Sequence, residues 1–408
     1  EVDPVLSILK KENEQQVLFI CNTGVNLSID DFGTGFVRDR KLTFPAVTVK
    51  LFSAADGADV IEVDPLTGKT IKLPATREGE AILFKTSFDE LQSRLFLIGK
   101  TSEEIAEAGC RKDQTVSEIA LNDDWQITPD ELNVLPLDMA KYSLNGSEFS
   151  DPEYILLLDG HVREKLGGQW RGGHMVQPWL MERMDQSEKV KGDLVLEYEF
   201  FCDVMPGKDC FLGVEDAELY QIELNGNKLD TKDEGFWCDR SLRLRKVDRS
   251  FFREGKNILT LRIRYHEKLA GLETIYLLGD FSTADGRITG EKMLDTAKTE
   301  DLTKCGFTYY SGNMTYGTDV EIVPENGKEY HLQLAEWRGV GMTVSCNDGP
   351  EIFLSWAPFS ADLTPYLKNG KNHISIKLLG SRRNSHGCHR TRNSDKKRRY
   401  RLRHSLDV

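Results

Sequence analysis

The run Gly167-Gly168-Gln169-Trp170-Arg171-Gly172-Gly173-His174-Met175-Val176-Gln177-Pro178-Trp179 concentrates more chemistry-bearing side chains than any other stretch of the chain. Aromatic rings stack on the apolar faces of pyranoses, Arg, His and Gln can grip hydroxyls, and the flanking glycines let backbone approach a ligand closely. Trp170 and Trp179 are therefore candidate carbohydrate-binding platforms, with Arg171 and His174 as candidate hydrogen-bond donors. The competing reading is a long Gly-rich loop whose tryptophans plug a seam between domains, because large aromatics are usually packed.

Other constellations carry less. Glycosidic hydrolysis needs two carboxyl groups placed about 5 to 10 Å apart around the scissile bond. With 66 acidic residues, pairs such as Asp123/Asp124, Asp239/Asp248 and Glu197/Glu199 are unavoidable, and none stands in a special context. Glu197 and Glu199 share one face of a strand and read as solvent-facing, so no catalytic residue is assigned. His386-Gly387-Cys388-His389 has ligand types for zinc, but a structural zinc needs four ligands at set spacings, and no partner cluster is evident. Gly33-Thr34-Gly35 and Gly339-Val340-Gly341 lack the strand, third glycine and helix of a phosphate-binding fingerprint. No glycine-x-serine-x-glycine elbow occurs. No acidic loop has a calcium-ligand pattern, although jelly rolls often hold a structural calcium, and no cofactor is assigned.

The elements that must position these residues are strands. The chain has 408 residues, enough for two or three domains, and its 39% apolar and 9% aromatic content can supply packed interiors, which excludes intrinsic disorder. No run approaches the ~18 apolar residues of a membrane helix, and mean hydropathy is −0.43, so a membrane span is excluded. The net charge of −13 is unevenly spread: residues 382 to 408 hold ten Lys/Arg against Asp395 and Asp407, leaving a body at −21. A body that acidic repels phosphate backbones, so no nucleic-acid partner is expected for the folded part. Eight irregularly spaced cysteines without a C-x-x-C pair read as free buried thiols, which points to a reducing cytoplasm. The start at Glu1, with no initiator Met or signal, reads as a piece of something longer, so compartment is not readable from it.

Residues 1–100 read as short strands: Val17 to Cys21, Val47 to Phe52, Val60 to Val63, Thr70 to Leu73, Ala81 to Phe84 and Leu95 to Ile98, with a turn at Asp64-Pro65-Leu66-Thr67-Gly68. Residues 101–118 are polar and read as a linker with a short helix at Ser102 to Ala108. Beyond them lies an internal echo. Asn225-Gly226, then Asp248, then Gly255-Lys256-Asn257 before a final strand are matched by Asn347-Asp348-Gly349, Asp362 and Gly370-Lys371-Asn372, and the Gly-Lys-Asn triplets lie 115 residues apart. Asn-Gly suits the positive backbone angles of a tight hairpin, and Thr364 with Pro365 suits the start of a short helical turn. Many strands, β-turn punctuation and almost no helical period predict an all-β, multidomain β-sandwich: two galactose-binding-like jelly rolls preceded by a smaller β domain. The expected layout is a β-sandwich over 1–100, a linker over 101–118, a jelly roll from 119–150 plus 283–387, a second jelly roll inserted at 151–282, and a basic disordered tail over 388–408.

Several stretches resemble the C-terminal, non-catalytic half of large bacterial glycoside hydrolases, with family 2-type sugar-binding jelly rolls, and more narrowly the α-L-rhamnosidase-like enzymes of family 106 type. They are the Asp64-to-Gly68 turn, Asn133-Val134-Leu135-Pro136-Leu137-Asp138, Glu273-Thr274-Ile275-Tyr276-Leu277-Leu278-Gly279-Asp280-Phe281, Tyr309-Tyr310-Ser311-Gly312-Asn313-Met314-Thr315-Tyr316, and Trp356-to-Thr364 with Gly380-Ser381-Arg382-Arg383-Asn384. The resemblance implies an accessory carbohydrate-binding and scaffolding region acting with an oligosaccharide or polysaccharide glycan and with an N-terminal catalytic domain of the same polypeptide. Family catalytic carboxylates sit on a barrel that would precede Glu1, and no eight-fold strand and helix alternation is present, so none is carried over. After Gly387 the basic, apolar-poor string departs from the family pattern. The rival reading is a purely structural or protein-interaction β-sandwich with no glycan affinity.

Overall fold

The computed structural model describes residues 5–13, 15–23, 43–52, 54–101, 105, 106, 119, 121, 125–170, 183, 191–266, 269, 271–291, 301–334, 336–357, 359–386, 406 and 407. Strands dominate, and among these residues only Ile155–Lys165 and Arg383–His386 are α-helical. The chain divides into two units, 1–121 with 319–335 and 341–374, and 122–318 with 336–340 and 375–408.

In the first unit, a sheet ordered Val5–Glu12, Gln15–Asn22, Ser93–Gly99, Asp59–Val63, Thr70–Leu73 shares a core with a sheet of Phe44–Phe52, Ala81–Phe88 and Ala75–Glu78. Alternation sets the faces: Leu18 and Ile20 point inward from one sheet, and Phe84 and Phe88 from the other. The Asp64-to-Gly68 turn joins Asp59–Val63 to Thr70–Leu73, and the Asp64 carboxylate accepts from the Leu66 N–H (2.9 Å) and the Thr67 hydroxyl (2.7 Å). In the expected linker, the Ala106 carbonyl accepts from the Lys72 N–H (3.0 Å); the helix expected at Ser102 to Ala108 falls mostly outside the described residues.

The second unit contains a sandwich. One sheet runs Asn133–Leu137, Ile275–Gly279, Cys210–Glu215, Asp239–Val247, Phe236–Trp237. The other runs Glu153–Tyr154, Met139–Leu144, Lys191–Cys202, Gly255–His266, Gln221–Leu224, Asn227–Lys228, with Phe281–Ala284 and Arg287–Glu291 attached to it. Leu196, Tyr198, Phe200, Leu259 and Leu261 meet Leu212, Val214 and Leu277 in one core. Asn133–Leu137 and Met139–Leu144, expected to lie with 283–387, pair instead with Ile275–Gly279 and Lys191–Cys202. All five residues of Asn133–Leu137 are buried, so no alternation marked the face on which the strand belongs. Gln126–Pro129 does pair with Met314–Ile322.

The echo extends to the hydrogen bonds. Asn225 has φ 52° and Asn347 has φ 52°. Asn225 Nδ2 donates to the Phe251 carbonyl (2.9 Å) and to Asn257 Oδ1 (2.8 Å), while its Oδ1 accepts from the Ile258 N–H (3.0 Å). Asn347 Nδ2 donates to the Tyr366 carbonyl (2.8 Å) and to Asn372 Oδ1 (2.9 Å), while its Oδ1 accepts from the His373 N–H (3.0 Å). Asn257 and Asn372, both fully buried, continue each network with two further carbonyls and one further N–H. Gly255 and Gly370, at φ 79° and 94°, turn the backbone so that these carbonyls point back at the amide. The helical turn expected after Thr364 is a single 3₁₀ turn, Thr364–Tyr366, whose N-cap position is Leu363, and the Asp362 carboxylate just before it accepts from the Thr364 N–H at 3.0 Å. The Thr364 hydroxyl instead accepts from the Tyr330 N–H (2.7 Å).

Of the tail expected over 388–408, residues 388–405 and 408 lie outside the described residues, and Leu406–Asp407 pairs with Glu336–Trp337. Of the cysteines, Cys202, Cys210 and Cys346 are buried as expected, Cys21 and Cys305 are partly buried, and Cys238 is exposed.

Candidate functional site

The first helix builds the shelf on which Trp170 sits. Ile155, Leu158 and Val162, spaced three and four apart, are fully buried and lay one face of Ile155–Lys165 on the sandwich core. Asp159 lies on the same inner face, where the buried Tyr265 hydroxyl donates to its Oδ1 at 2.6 Å. The helix ends in a Schellman motif: Gly167 takes φ 82°, its N–H donates to the Glu164 carbonyl (3.0 Å), and the Gly168 N–H donates to the Arg163 carbonyl (2.8 Å). Arg163 Nε then donates to the Gln169 carbonyl (2.7 Å), which folds the chain back along the helix and delivers Trp170 to its outer side.

There the indole lies against Gly160. A Cβ at position 160 would meet three consecutive benzo-ring carbons of Trp170 at 2.5, 2.5 and 2.7 Å, near-equal distances that only an approach from above the ring plane gives. One face of the indole therefore rests on helix backbone, and the side chain keeps 45% exposure. The His161 ring meets it edge-on at 4.9 Å, and His161 Nδ1 is in turn 2.8 Å from Glu153 Oε2. Trp170 Nε1 donates to Glu164 Oε2 at 3.5 Å. A half-covered indole rimmed by an imidazole and two carboxylates can stack on one sugar face and accept from its hydroxyls. Of the four candidate residues, the structure describes Trp170; Arg171, His174 and Trp179 lie outside the described residues. Sequence reasoning missed Gly160, His161, Glu153 and Glu164. The available signal was a glycine inside an apolar run with a tryptophan ten residues later.

A second concavity lies at one end of the sandwich, lined by Leu196, Tyr198, Val214, Glu215, Tyr220 and Glu273 among others. The Tyr198 hydroxyl is buried there without a hydrogen-bond partner, and burial pushes its pKa well up. Burial, followed by Asp216 and Asp239, also raises the pKa of Glu215. The cavity volume is about 10 Å³, room for one water and too small for a sugar ring.

The carboxylate pairs take structural roles where they are described. Glu199 bridges Lys256 (2.8 Å) and Lys141 (3.0 Å), and these two bonds, Lys256 first, hold its carboxyl below the usual range. Asp239 and Asp248 each accept from the N–H and hydroxyl of a serine two residues on. Asp123 and Asp124 lie outside the described residues, as do Cys388 and His389. Among the described residues no group of three or more His, Cys, Asp or Glu side chains is arranged to hold a metal, and no helix is long and apolar enough to cross a membrane.

No protein-family model and no curated protein matches the chain. Among solved structures, the chain is similar to a rhamnosidase from Novosphingobium sp. PP1Y, at 13% identity over 64% of this chain and 20% of that one, with a TM-score of 0.19. It is similar to a β-D-mannosidase from Dictyoglomus thermophilum at 11% identity over 62% of this chain and 31% of that one, TM-score 0.25. It is also similar to the α-L-rhamnosidase of Streptomyces avermitilis, solved with L-rhamnose, at 9% identity over 61% of this chain and 33% of that one, TM-score 0.17. All three carry the names of glycoside hydrolases, and the chain spans 20% to 33% of their length.

Proposed function

We propose that this chain is an accessory region of a glycoside hydrolase of the α-L-rhamnosidase-like type. In this reading it scaffolds a catalytic domain of the same polypeptide and contributes a glycan contact at the Trp170 shelf. The observation that carries the proposal is the indole seated by one face on Gly160 and left 45% exposed. Such a ring is pre-oriented, so stacking a sugar on it costs little side-chain ordering. Arg171, His174 and Trp179 follow it in the same loop and are proposed to add to the contact. A nested layout, in which the chain leaves a sheet after Gln126–Pro129 and rejoins it at Met314–Ile322, is also a proposal; what supports it is the pairing of these two strands, and the inserted sandwich then starts at Asn133 rather than at 151.

The test is affinity electrophoresis against a panel of rhamnose-containing and other oligosaccharides and polysaccharides. Retardation by at least one glycan, lost in Trp170→Ala, is expected, with Kd on the order of 0.1 to 1 mM for one or two stacking rings. No turnover of aryl-glycosides by the chain alone is expected, since the candidate acids Glu199, Asp239 and Asp248 are taken up in ion pairs and turns. Absence of retardation by every glycan contradicts the reading. It would favour the structural alternative, for which the exposed Leu156 and Leu157, one turn before Gly160 and His161, offer an apolar protein-facing surface.

A further inference from the structure

Away from the Trp170 shelf, the edge of the sandwich carries a cluster that no functional reading above uses. Cys238 is the apex between Phe236–Trp237 and Asp239–Val247, exposed and at φ 40°, a left-handed conformation rare for a side chain with a Cβ. Its Sγ lies 3.9 Å from His386 Nε2. The imidazole packs against two rings that also touch each other, stacked on Trp237 at 5.7 Å with an interplanar angle of 19°, and 5.0 Å from Tyr276. At its other nitrogen, Nδ1 is 2.8 Å from Ser385 Oγ and 3.2 Å from the Arg382 carbonyl. A carbonyl only accepts, so bonding to it places the proton on Nδ1 and turns the Nε2 lone pair toward the thiol. Ser385, itself buried, is held by Ser311 at 2.8 Å. Nucleophile, base and orienting hydroxyl thus follow one another as in an activated thiol site.

We propose that Cys238 and His386 form a base-assisted thiol site that adds to soft carbon electrophiles of the α,β-unsaturated carbonyl class. In the addition, His386 Nε2 takes the Sγ proton, the sulfur pair forms a bond to the β-carbon, and the carbon–carbon π pair moves to the α-carbon. The imidazolium then returns the proton to that carbon. No leaving group, oxidant or further reactant is required. Partial desolvation holds His386 below its ordinary pKa, which keeps it a neutral base at pH 7, and partial desolvation also raises the pKa of the Cys238 thiol, so a bare thiolate is not the reacting species. The charged and titratable groups around the pair are Arg382, Glu131, Asp239 and Tyr276, and Arg382 is already bound bidentately by Glu131 at 2.5 and 2.7 Å. Cys202 and Cys210, pushed up to about 12 by burial, are internal controls.

The test is the rate of N-ethylmaleimide addition to the full chain, followed by peptide mass mapping between pH 5 and 8. Cys238 is expected to react first, at a rate flat to within about twofold from pH 7 to 8 and falling toward pH 5 as the imidazole protonates. His386→Asn is expected to slow addition at least about tenfold at pH 7 and to restore a climb of about tenfold per pH unit, the signature of an unassisted thiolate. Cys238→Ser should abolish this adduct. If His386→Asn fails to fold, Ser385→Ala replaces it, with a loss of about threefold or more expected from the misplaced base. A wild-type rate that itself climbs about tenfold per unit from pH 6 to 8 overturns the proposal, as does a folded base or serine variant reacting at the wild-type rate.

Discussion

Replacing Asn257 with Ala removes an amide whose four bonds tie the Arg253–Gly255 turn to the Asn225 hairpin. Its Nδ2 donates to the carbonyls of Arg253 (2.7 Å) and Gly255 (3.2 Å), and its Oδ1 accepts from the Arg253 N–H (2.9 Å) and Asn225 Nδ2 (2.8 Å). Asn257 is fully buried, whereas Arg253 and Gly255 lie at the surface, so water can reach some of the groups left behind. Each net bond is worth about 0.5 to 1.5 kcal/mol and an orphaned buried group costs about 1 to 3, so with partial rescue by water the loss is about 2 to 4 kcal/mol. For a sandwich of this size each kcal/mol lowers Tm by about 2 to 4 °C, giving a drop of roughly 5 to 15 °C. Because the chain has two units, urea melts need a local probe: native-state hydrogen exchange at the Ile258 amide, which donates to Asn225 Oδ1, should accelerate to match the loss. Asn372→Ala, with the same network at the second corner, should cost a similar amount. A loss below about 1 kcal/mol in Asn257→Ala, with unchanged exchange at Ile258, would refute the reasoning.

Gly160→Ala places a methyl group 2.5 Å from the indole, so Trp170 should leave its shelf and its fluorescence should shift to the red; an undisturbed emission with the roughly 1 kcal/mol gain expected of a better helix former would contradict the packing. Tyr265→Phe removes the donor to buried Asp159 and should cost about 1 to 3 kcal/mol, read as faster exchange of the 155–165 helix amides. Glu215 has a raised folded pKa, so the folded state binds its proton more tightly and stability falls as pH rises from the unfolded value near 4.5 through the folded one. Glu215→Gln should therefore raise the urea midpoint at pH 7 and give no gain at pH 4; equal gains at both pH values would remove burial as the cause.

How much of this was legible in the sequence follows from how local each signal is. The corners at Asn225 and Asn347 could be read because an Asn suited to positive φ and a Gly-Lys-Asn run each act within a few residues. The pairing of Asn225 with Asn257 could not, because it depends on strands that meet only in the folded sheet. The helix Ile155–Lys165 was missed for a related reason: Gly160 weakens its helical signal, and the glycine is there because Trp170 needs its surface. The cysteines as a group read as buried thiols, whereas the backbone reversal at φ 40° turns Cys238 outward. Asn133–Leu137 is buried along its whole length, so only the pairing with Ile275–Gly279 reveals its sheet.

The most direct test of the glycan reading is the Trp170 indole Nε1–H resonance, assigned by comparison with Trp170→Phe and followed as a retarding oligosaccharide is added. A saturable shift at Trp170 is expected, with the His161 ring resonances moving in step because the two rings are in edge contact. An indole signal that stays fixed while binding is seen elsewhere on the chain would contradict it.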